Sequence, residues 1–414
     1  MSPRTPRKPA RKGATAAKPA RKRATAAKPA RKPAAAKSAR AAGKPKPGVA
    51  QAPPLLTELL TARGASGHER APVAVWLAAA KKFARVDTDA IGTPHALVAP
   101  RAGGRGRGRS ARSADGRPRR LLLMGHIDEI GLIVTHIDDD GYLWVREVGG
   151  WDPQILVSQR VIVDTAKGPL RGVVGRKPIH LLRDEERKKV PDLSDLHIDI
   201  GARDGAHAAE LVRVGDVAVI DVEPLQLQGG RLASRALDNR LGSYVALEAA
   251  REVAGAGGSG WEVGAVAVVQ EETTFGGSRT SAFSLAPDAA IVIDVTHATD
   301  APGIEVKPSG KHPLGSGPVI GRGSTLHEGI FELLYETARA EGIPFTIEAS
   351  GRATGTDADA VHASRAGVPT GLVMIPVRYM HSPVETVDLQ DVQATVHLLA
   401  AASLKLTPDQ AFVR

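Results

Sequence analysis

Two hydrophobic textures divide the chain. Over residues 53–126 and again over 226–414, short continuous apolar runs alternate with longer stretches of helical period. PPLLTELLTA opens on prolines and sets Leu55, Leu56, Leu59 and Leu60 along one helical face. GASGHE follows as a turn, and a second helix carries Val73, Trp76 and Leu77. LLLMG, VGAVAVVQ, AAIVID and TGLVMIPV are too short for helices and apolar at successive positions, as strands buried on both faces are. ALDNRLGSYVALEAAREV begins a helix, Glu328–Glu341 is amphipathic, and 387–404 reads as a final helix. This interleaving predicts an α/β fold with a mostly parallel sheet flanked by helices.

Residues 127–225 have the other texture. GLIVTHI, YLWVREV, RVIVDT and GPLRGVVG are short alternating runs separated by turn residues, so the segment reads as a small β-barrel domain inserted into the α/β domain. DDDG at 138–141 is the turn of a hairpin. The chain thus divides into a tail (1–52), a first α/β part (53–126), the insertion (127–225) and a second α/β part (226–414).

Charge changes the picture at the N-terminus. Residues 1–52 hold 16 of the 55 Lys/Arg residues and no acid, which leaves 39 basic against 45 acidic residues for the rest. KPARKGATAA, KPARKRATAA and KPARKPAAAK begin at Lys8, Lys18 and Lys28. A Pro-containing repeat of small and basic residues has too little apolar surface to bury, so the tail is expected to be disordered. It is either a solubilising extension or an arm for nucleic acid or other polyanions, bound without base readout. A second basic segment, 101–120, reads as an exposed loop between strands.

There is no cysteine, so thiolate nucleophiles, disulfides and Cys-ligated metals are excluded. No apolar run approaches the roughly 18 residues of a membrane span. The N-terminus lacks an apolar signal core, and the expected location is the cytoplasm. No G-x-S-x-G elbow occurs, which disfavours a Ser-His-Asp hydrolase.

Candidate chemistry lies where the apolar strands end. LLLMG leads into His126, VGAVAVVQ into Glu271 and Glu272, AAIVI into Asp294, and TGLVMIPVRYM into His381. In open α/β sheets, ligands bind outside the carboxyl ends of strands. Imidazole and carboxylate donors delivered to one rim suit zinc or cobalt. Asp128, two residues beyond His126, would hold the far ring nitrogen of that histidine. Each residue also has a bland alternative. Asp238 in LDNR could simply cap a helix, Glu271 and Glu272 could be a solvated strand end, and the others could be ordinary turn residues. All of these would have to hold together for the chain to carry no metal site.

GHIDEIG (125–131), LDNR (237–240), QEE (270–272), IDVTHA (293–298), GTDA (355–358) and RYMHSPVE (378–385) resemble the tetrahedral (TET) aminopeptidases, glutamyl- and leucyl-aminopeptidase-like metallopeptidases. GASGHE and KPIHLL (177–182) add to the likeness, which spans about residues 53–406. The resemblance implies two divalent metal ions per subunit, with Asp238 bridging them. His126 and Asp294 would complete one site, Glu272 and His381 the other. It further implies Glu271 as general base, Asp128 as the partner of His126, peptides as substrates, and the inserted β domain as a dimerisation unit of a homo-oligomer that reaches a dodecamer. One departure is local: the family commonly continues QEE with a Val-Gly-Leu-Arg-Gly-like stretch, and here Thr273-Thr274-Phe275-Gly276-Gly277 follow. Two alternatives accompany this expectation: a two-metal amidohydrolase or deacylase on another substrate, and a nucleic-acid-associated protein acting through its tail.

Overall fold

The computed structural model describes residues 51–101 and 116–413. The readings of the tail, except Gln51 and Ala52, and of residues 102–115 of the basic loop therefore fall outside the described residues. Arg120, expected to end that loop, opens a strand instead.

After the helices Pro54–Thr61 and Arg70–Ala80, the chain lays down β1 (Arg85–Thr88), β2 (Pro94–Val98) and β3 (Arg120–His126). Strands β4 (Gly131–Ile137), β5 (Leu143–Val148), β6 (Arg160–Thr165), β7 (Gly168–Gly175), β8 (His197–Asp199) and β9 (Val217–Ile220) close into a barrel in the order β4-β5-β8-β7-β6-β9. The chain returns through β10 (Leu225–Gln226) and β11 (Arg231–Ser234) to the long helix Leu237–Gly255. Then come β12 (Glu262–Val268), β13 (Ala289–His297), β14 (Val319–Gly323), β15 (Thr346–Ser350), β16 (Thr370–Val377) and β17 (Glu385–Asp388), with helices between them.

Strands β1-β2-β12-β3-β13-β16-β14-β15 form one eight-stranded sheet. Its centre, β12-β3-β13-β16, is parallel, and antiparallel pairings join it to β1-β2 on one side and β14 on the other. The alternation inside β3 explains the layering. Leu121 and Leu123 pack with Leu56, Leu59, Leu60, Trp76 and the helix Leu237–Gly255, whereas Leu122 and Met124 face a second core with Ala282 and Val361. Fully burying a Leu side chain contributes roughly 1.5–3 kcal/mol, so a strand apolar on both faces is stable only between two helical layers. The barrel has its own core, built on Leu132, Leu143, Val161, Val163 and Ile198. The α/β class with an inserted barrel is thus the one expected.

Details differ from the sequence reading. The last helix is Leu389–Leu404, because Asp388 accepts a hydrogen bond from Gln390 N and caps it, leaving Val387 in β17. Asp294 lies inside β13, since parallel pairing with β16 continues to His297. The DDDG turn closes the β4–β5 hairpin, with Asp138 Oδ1 accepting from the Asp140 and Tyr142 amides. Among the described residues no helix is long and apolar enough to cross a membrane.

Candidate active site

Two glycines bring the first elements of the site together. A Cβ on Gly125 in β3 would meet backbone atoms of Gly242 at 2.3 Å, and one on Gly242 would meet the Ile293 carbonyl oxygen at 2.6 Å. Only glycine lets the helix Leu237–Gly255 approach the sheet this closely. That approach sets the start of the helix beside the end of β3, where His126 is buried.

The four residues of LDNR have separate tasks. Leu237 enters the core. Asp238 and Asn239 both depart from helical backbone angles, as a residue capping the helix does, so either could take the role that the position of Asp238 suggested. Asn239 fills that role: its Oδ1 accepts from Gly242 N at 2.8 Å, and its Nδ2 donates to the Ile293 carbonyl at 2.8 Å. Asp238 is left to face the site. Its Oδ1 lies 3.1 Å from His126 Nε2 and its Oδ2 lies 3.4 Å from His381 Nε2. Arg240, fully buried, donates to the carbonyls of Leu59 and Ile127 and to Glu129.

Beyond β12, Gln270 takes a left-handed conformation and the short helix Glu271–Thr274 follows. Both carboxylate oxygens of Asp128 hold this turn, accepting from Glu271 N at 3.2 Å and Glu272 N at 3.1 Å. Asp128 Oδ1 also lies 3.3 Å from His126 Nδ1, as its two-residue spacing implied. Glu271 Oε2 is 3.7 Å from His126 Nε2, and Glu272 Oε1 is 3.6 Å from His381 Nε2. His381 sits in a turn after β16, with its Nδ1 donating to the Gly150 carbonyl at 2.8 Å. That bond places a proton on Nδ1 and turns Nε2 toward Asp238 and Glu272. Asp294, buried in β13, completes the group.

All six sequence candidates for the inner cluster are therefore brought together. Donor atoms fall within 4.8 Å of one another in three overlapping sets: His126 with Asp238 and Asp294, His126 with Glu271 and Glu272, and Asp238 with Glu272 and His381. Electrostatics fit a cation site. Burial pushes Glu271 up to about 10, with His126 opposing and Asp294, Asp357 and Glu272 adding to the rise. Burial and the Asp238 charge push Glu272 to about 7, and burial takes Asp294 well above the usual carboxylate range. Asp238 is the exception: burial alone would raise it, but hydrogen bonds with His126 and His381 hold it low. The same bond pushes His381 up to about 9. Four crowded carboxylates facing two imidazoles can ionise together only beside added positive charge. Oxygen and imidazole donors in overlapping sets are the chemistry of divalent metals.

The sequence reading missed the supports. Glu385 is buried and joins two backbones of the site, accepting from Asp238 N at 3.0 Å and His381 N at 2.9 Å. Its signal was an acid four residues beyond a candidate ligand. Glu129 is buried, accepts from Gly64 N at 3.0 Å, and pairs with Arg235 and Arg240. Its signal was Arg240 at the start of a helix that continues with Leu241, Val245 and Leu247, where a buried arginine must find an anion. Asp357 of GTDA is buried and adds to the field on Glu271. A cavity of about 500 Å³ opens over the cluster.

Comparison with known proteins agrees with this geometry. Residues 109–398 match the family described as M42 glutamyl aminopeptidase. The chain is 36% identical to a lysyl aminopeptidase of Pyrococcus furiosus over 70% of this chain and 82% of the relative. Among solved structures it is similar to a TET aminopeptidase from a marine sediment Thaumarchaeota archaeon, with a TM-score of 0.77 and 33% identity over 85% of this chain and 95% of the other. It is also similar to the Pyrococcus horikoshii TET1 peptidase, which can assemble into a tetrahedron or a large octahedral shell, with a TM-score of 0.72 and 31% identity over 85% and 99% of the two chains. The match over residues 109–398 and the likeness to these relatives show that the chain belongs to the M42 glutamyl aminopeptidases.

Proposed function

We propose that the chain removes N-terminal residues from peptides, with two divalent metal ions in the cluster and Glu271 as general base. The observation that carries the reading is the placement of Asp238, whose two oxygens face His126 and His381 at 3.1 and 3.4 Å. A carboxylate so placed can bridge two cations. His126 and Asp294 would complete one site, Glu272 and His381 the other, with zinc or cobalt as the metals these donors suit. When bound, such ions polarise a carbonyl and lower the pKa of a water. Glu271, in the same donor set as His126 and Glu272, takes the water's proton as the carbonyl is attacked and returns it to the leaving amine. Asp128 holds the Glu271 turn and the tautomer of His126, and Glu385 fixes the spacing between Asp238 and His381. The inserted barrel would serve as a dimerisation unit of a larger homo-oligomer, in line with the assemblies formed by the P. horikoshii protein. The cytoplasm is the proposed location.

The test compares a free-amine peptide with its N-acetylated form, with and without a chelator. Cleavage confined to the free amine and abolished by chelation is the expected result. Cleavage of the acetylated peptide would instead indicate a deacylase or amidohydrolase.

A further inference from the structure

We infer that Glu348 makes this enzyme select peptides whose first residue is cationic, lysine or arginine; the inference rests on the aminopeptidase reading above. Glu348 lies on β15 and lines the same cavity as the metal-ligand cluster. Apart from the four carboxylates of that cluster, it is the one acidic group on the cavity wall among the described residues, and no Lys or Arg lines that wall. Its side chain is 30% exposed, so it reaches the cavity rather than the core.

The carboxylate is fixed in place but its charge is not neutralised. Thr296 Oγ1 donates to Glu348 Oε2 at 2.8 Å. The nearest basic group is His312, whose Nε2 stands 3.7 Å from the same oxygen. That nitrogen lies 2.9 Å from the Ser309 carbonyl oxygen, which accepts its proton, and Nδ1 lies 2.7 Å from Thr346 Oγ1. The imidazole is thus satisfied by neutral groups. Among the described residues no Lys or Arg forms an ion pair with Glu348.

The position also fits the length of a substrate side chain. Thr296 follows Asp294 by two residues on β13, so both point to the same face, roughly 7 Å apart along the strand. A side chain leaving the cluster must span about that distance to meet Glu348, which suits the four-carbon stem of lysine. Phe275, Met374 and Met380 line the same cavity and offer apolar surface to that stem. An acidic first residue would bring like charge to a carboxylate that has no Lys or Arg partner among the described residues, and be rejected.

The experiment uses the full chain loaded with zinc or cobalt and measures kcat/KM for lysyl, norleucyl and glutamyl anilides. Norleucine matches the lysine stem and lacks its charge. The expected order is lysyl above norleucyl above glutamyl, and Glu348→Gln should lower the lysyl-to-norleucyl ratio by about two- to fivefold, the scale of a partly exposed charge pair. The ratio cancels any loss of folded or metal-loaded enzyme. A direct readout is calorimetric binding of L-lysine against L-norleucine, whose preference should fall in the same variant. Turnover with a ratio near one, or a ratio unmoved by Glu348→Gln, overturns the inference alone. No turnover of any of the three overturns the aminopeptidase reading and the inference with it.

Discussion

Two buried charge clusters adjoin one small cavity in this protein and are neutralised differently. In one, Glu129 is paired with Arg235 and Arg240; burial alone would raise its pKa, yet the two guanidinium groups hold it below the usual range. In the other, burial raises Glu271, Glu272 and Asp294, and the neighbouring carboxylates add to the rise against the opposing charge of the imidazoles. The chain completes the first cluster with its own charges and leaves the second to ligands. The two are also joined in sequence. Asp128 precedes Glu129, and Asp238 comes two residues before Arg240. A neutralised cluster therefore anchors the backbone from which the reactive one projects.

The largest effect expected from breaking this arrangement is chemical. Glu271→Gln keeps the size of the side chain and removes the proposed base, so kcat should fall by about 10²–10⁴-fold. Metal content, read by mass spectrometry of the desalted protein, should persist. Turnover near that of the parent would remove Glu271 from the role of base. The anchoring cluster should answer in the opposite way. Arg240→Met leaves Glu129 short of a buried partner and should cost roughly 3–5 kcal/mol of stability in urea unfolding. Combining it with Glu129→Gln should recover part of that loss. If the double variant is as unstable as the sum of the single variants, the pair is not coupled.

A smaller effect is expected between the clusters. Glu385→Gln keeps one acceptor oxygen but cannot accept from both Asp238 N and His381 N in the same way. Supports of this kind typically change metal affinity or activity by about 10–100-fold. A titration of zinc into the chelated variant, compared with the parent, measures it. Unchanged affinity would mean that Asp238 and His381 are spaced by the backbone alone.

How much of this was legible in the sequence follows from the physics of each residue. Strands buried on both faces, such as LLLMG and TGLVMIPV, were readable because nothing else is so uniformly apolar and so short. His126, Glu271, Glu272 and His381 were readable because they stand at or after the ends of such strands. Asp238 was assigned two conflicting roles, helix cap and metal ligand, and only the geometry gives the cap to Asn239. Glu129, Arg240 and Glu385 were hidden because a buried charge looks like a surface charge until its partner is located. Those partners lie 106, 111 and 147 residues away in the chain. Glu348 was hidden for the same reason: β15 contributes to the cavity wall only through the order of strands in the sheet.

The subtlest contrast between the clusters is the sign of their response to pH, best seen in chelated protein. Glu129 has a lowered folded pKa, so its stabilisation is complete above its ordinary value of 4.5 and is lost as pH falls through the folded value. Glu272 and Glu271 are raised, to about 7 and about 10. A raised carboxyl binds its proton more tightly in the folded state. Its contribution is therefore complete below 4.5 and declines as pH rises toward those values. His381, raised to about 9, works in the same direction, since its contribution is lost as pH rises from 6.5 through 9. Chelated protein should accordingly lose stability between about pH 5 and pH 9, and Glu272→Gln should flatten that slope. Because the groups share protons, the variant's effect should be only about 1 kcal/mol, or a shift of about 2–4 °C in midpoint. Added zinc should reverse the slope, because cations favour the ionised carboxylates and affinity rises as protons leave. A chelated protein whose midpoint rises with pH over that range would show that the second cluster, like the first, is neutralised from within.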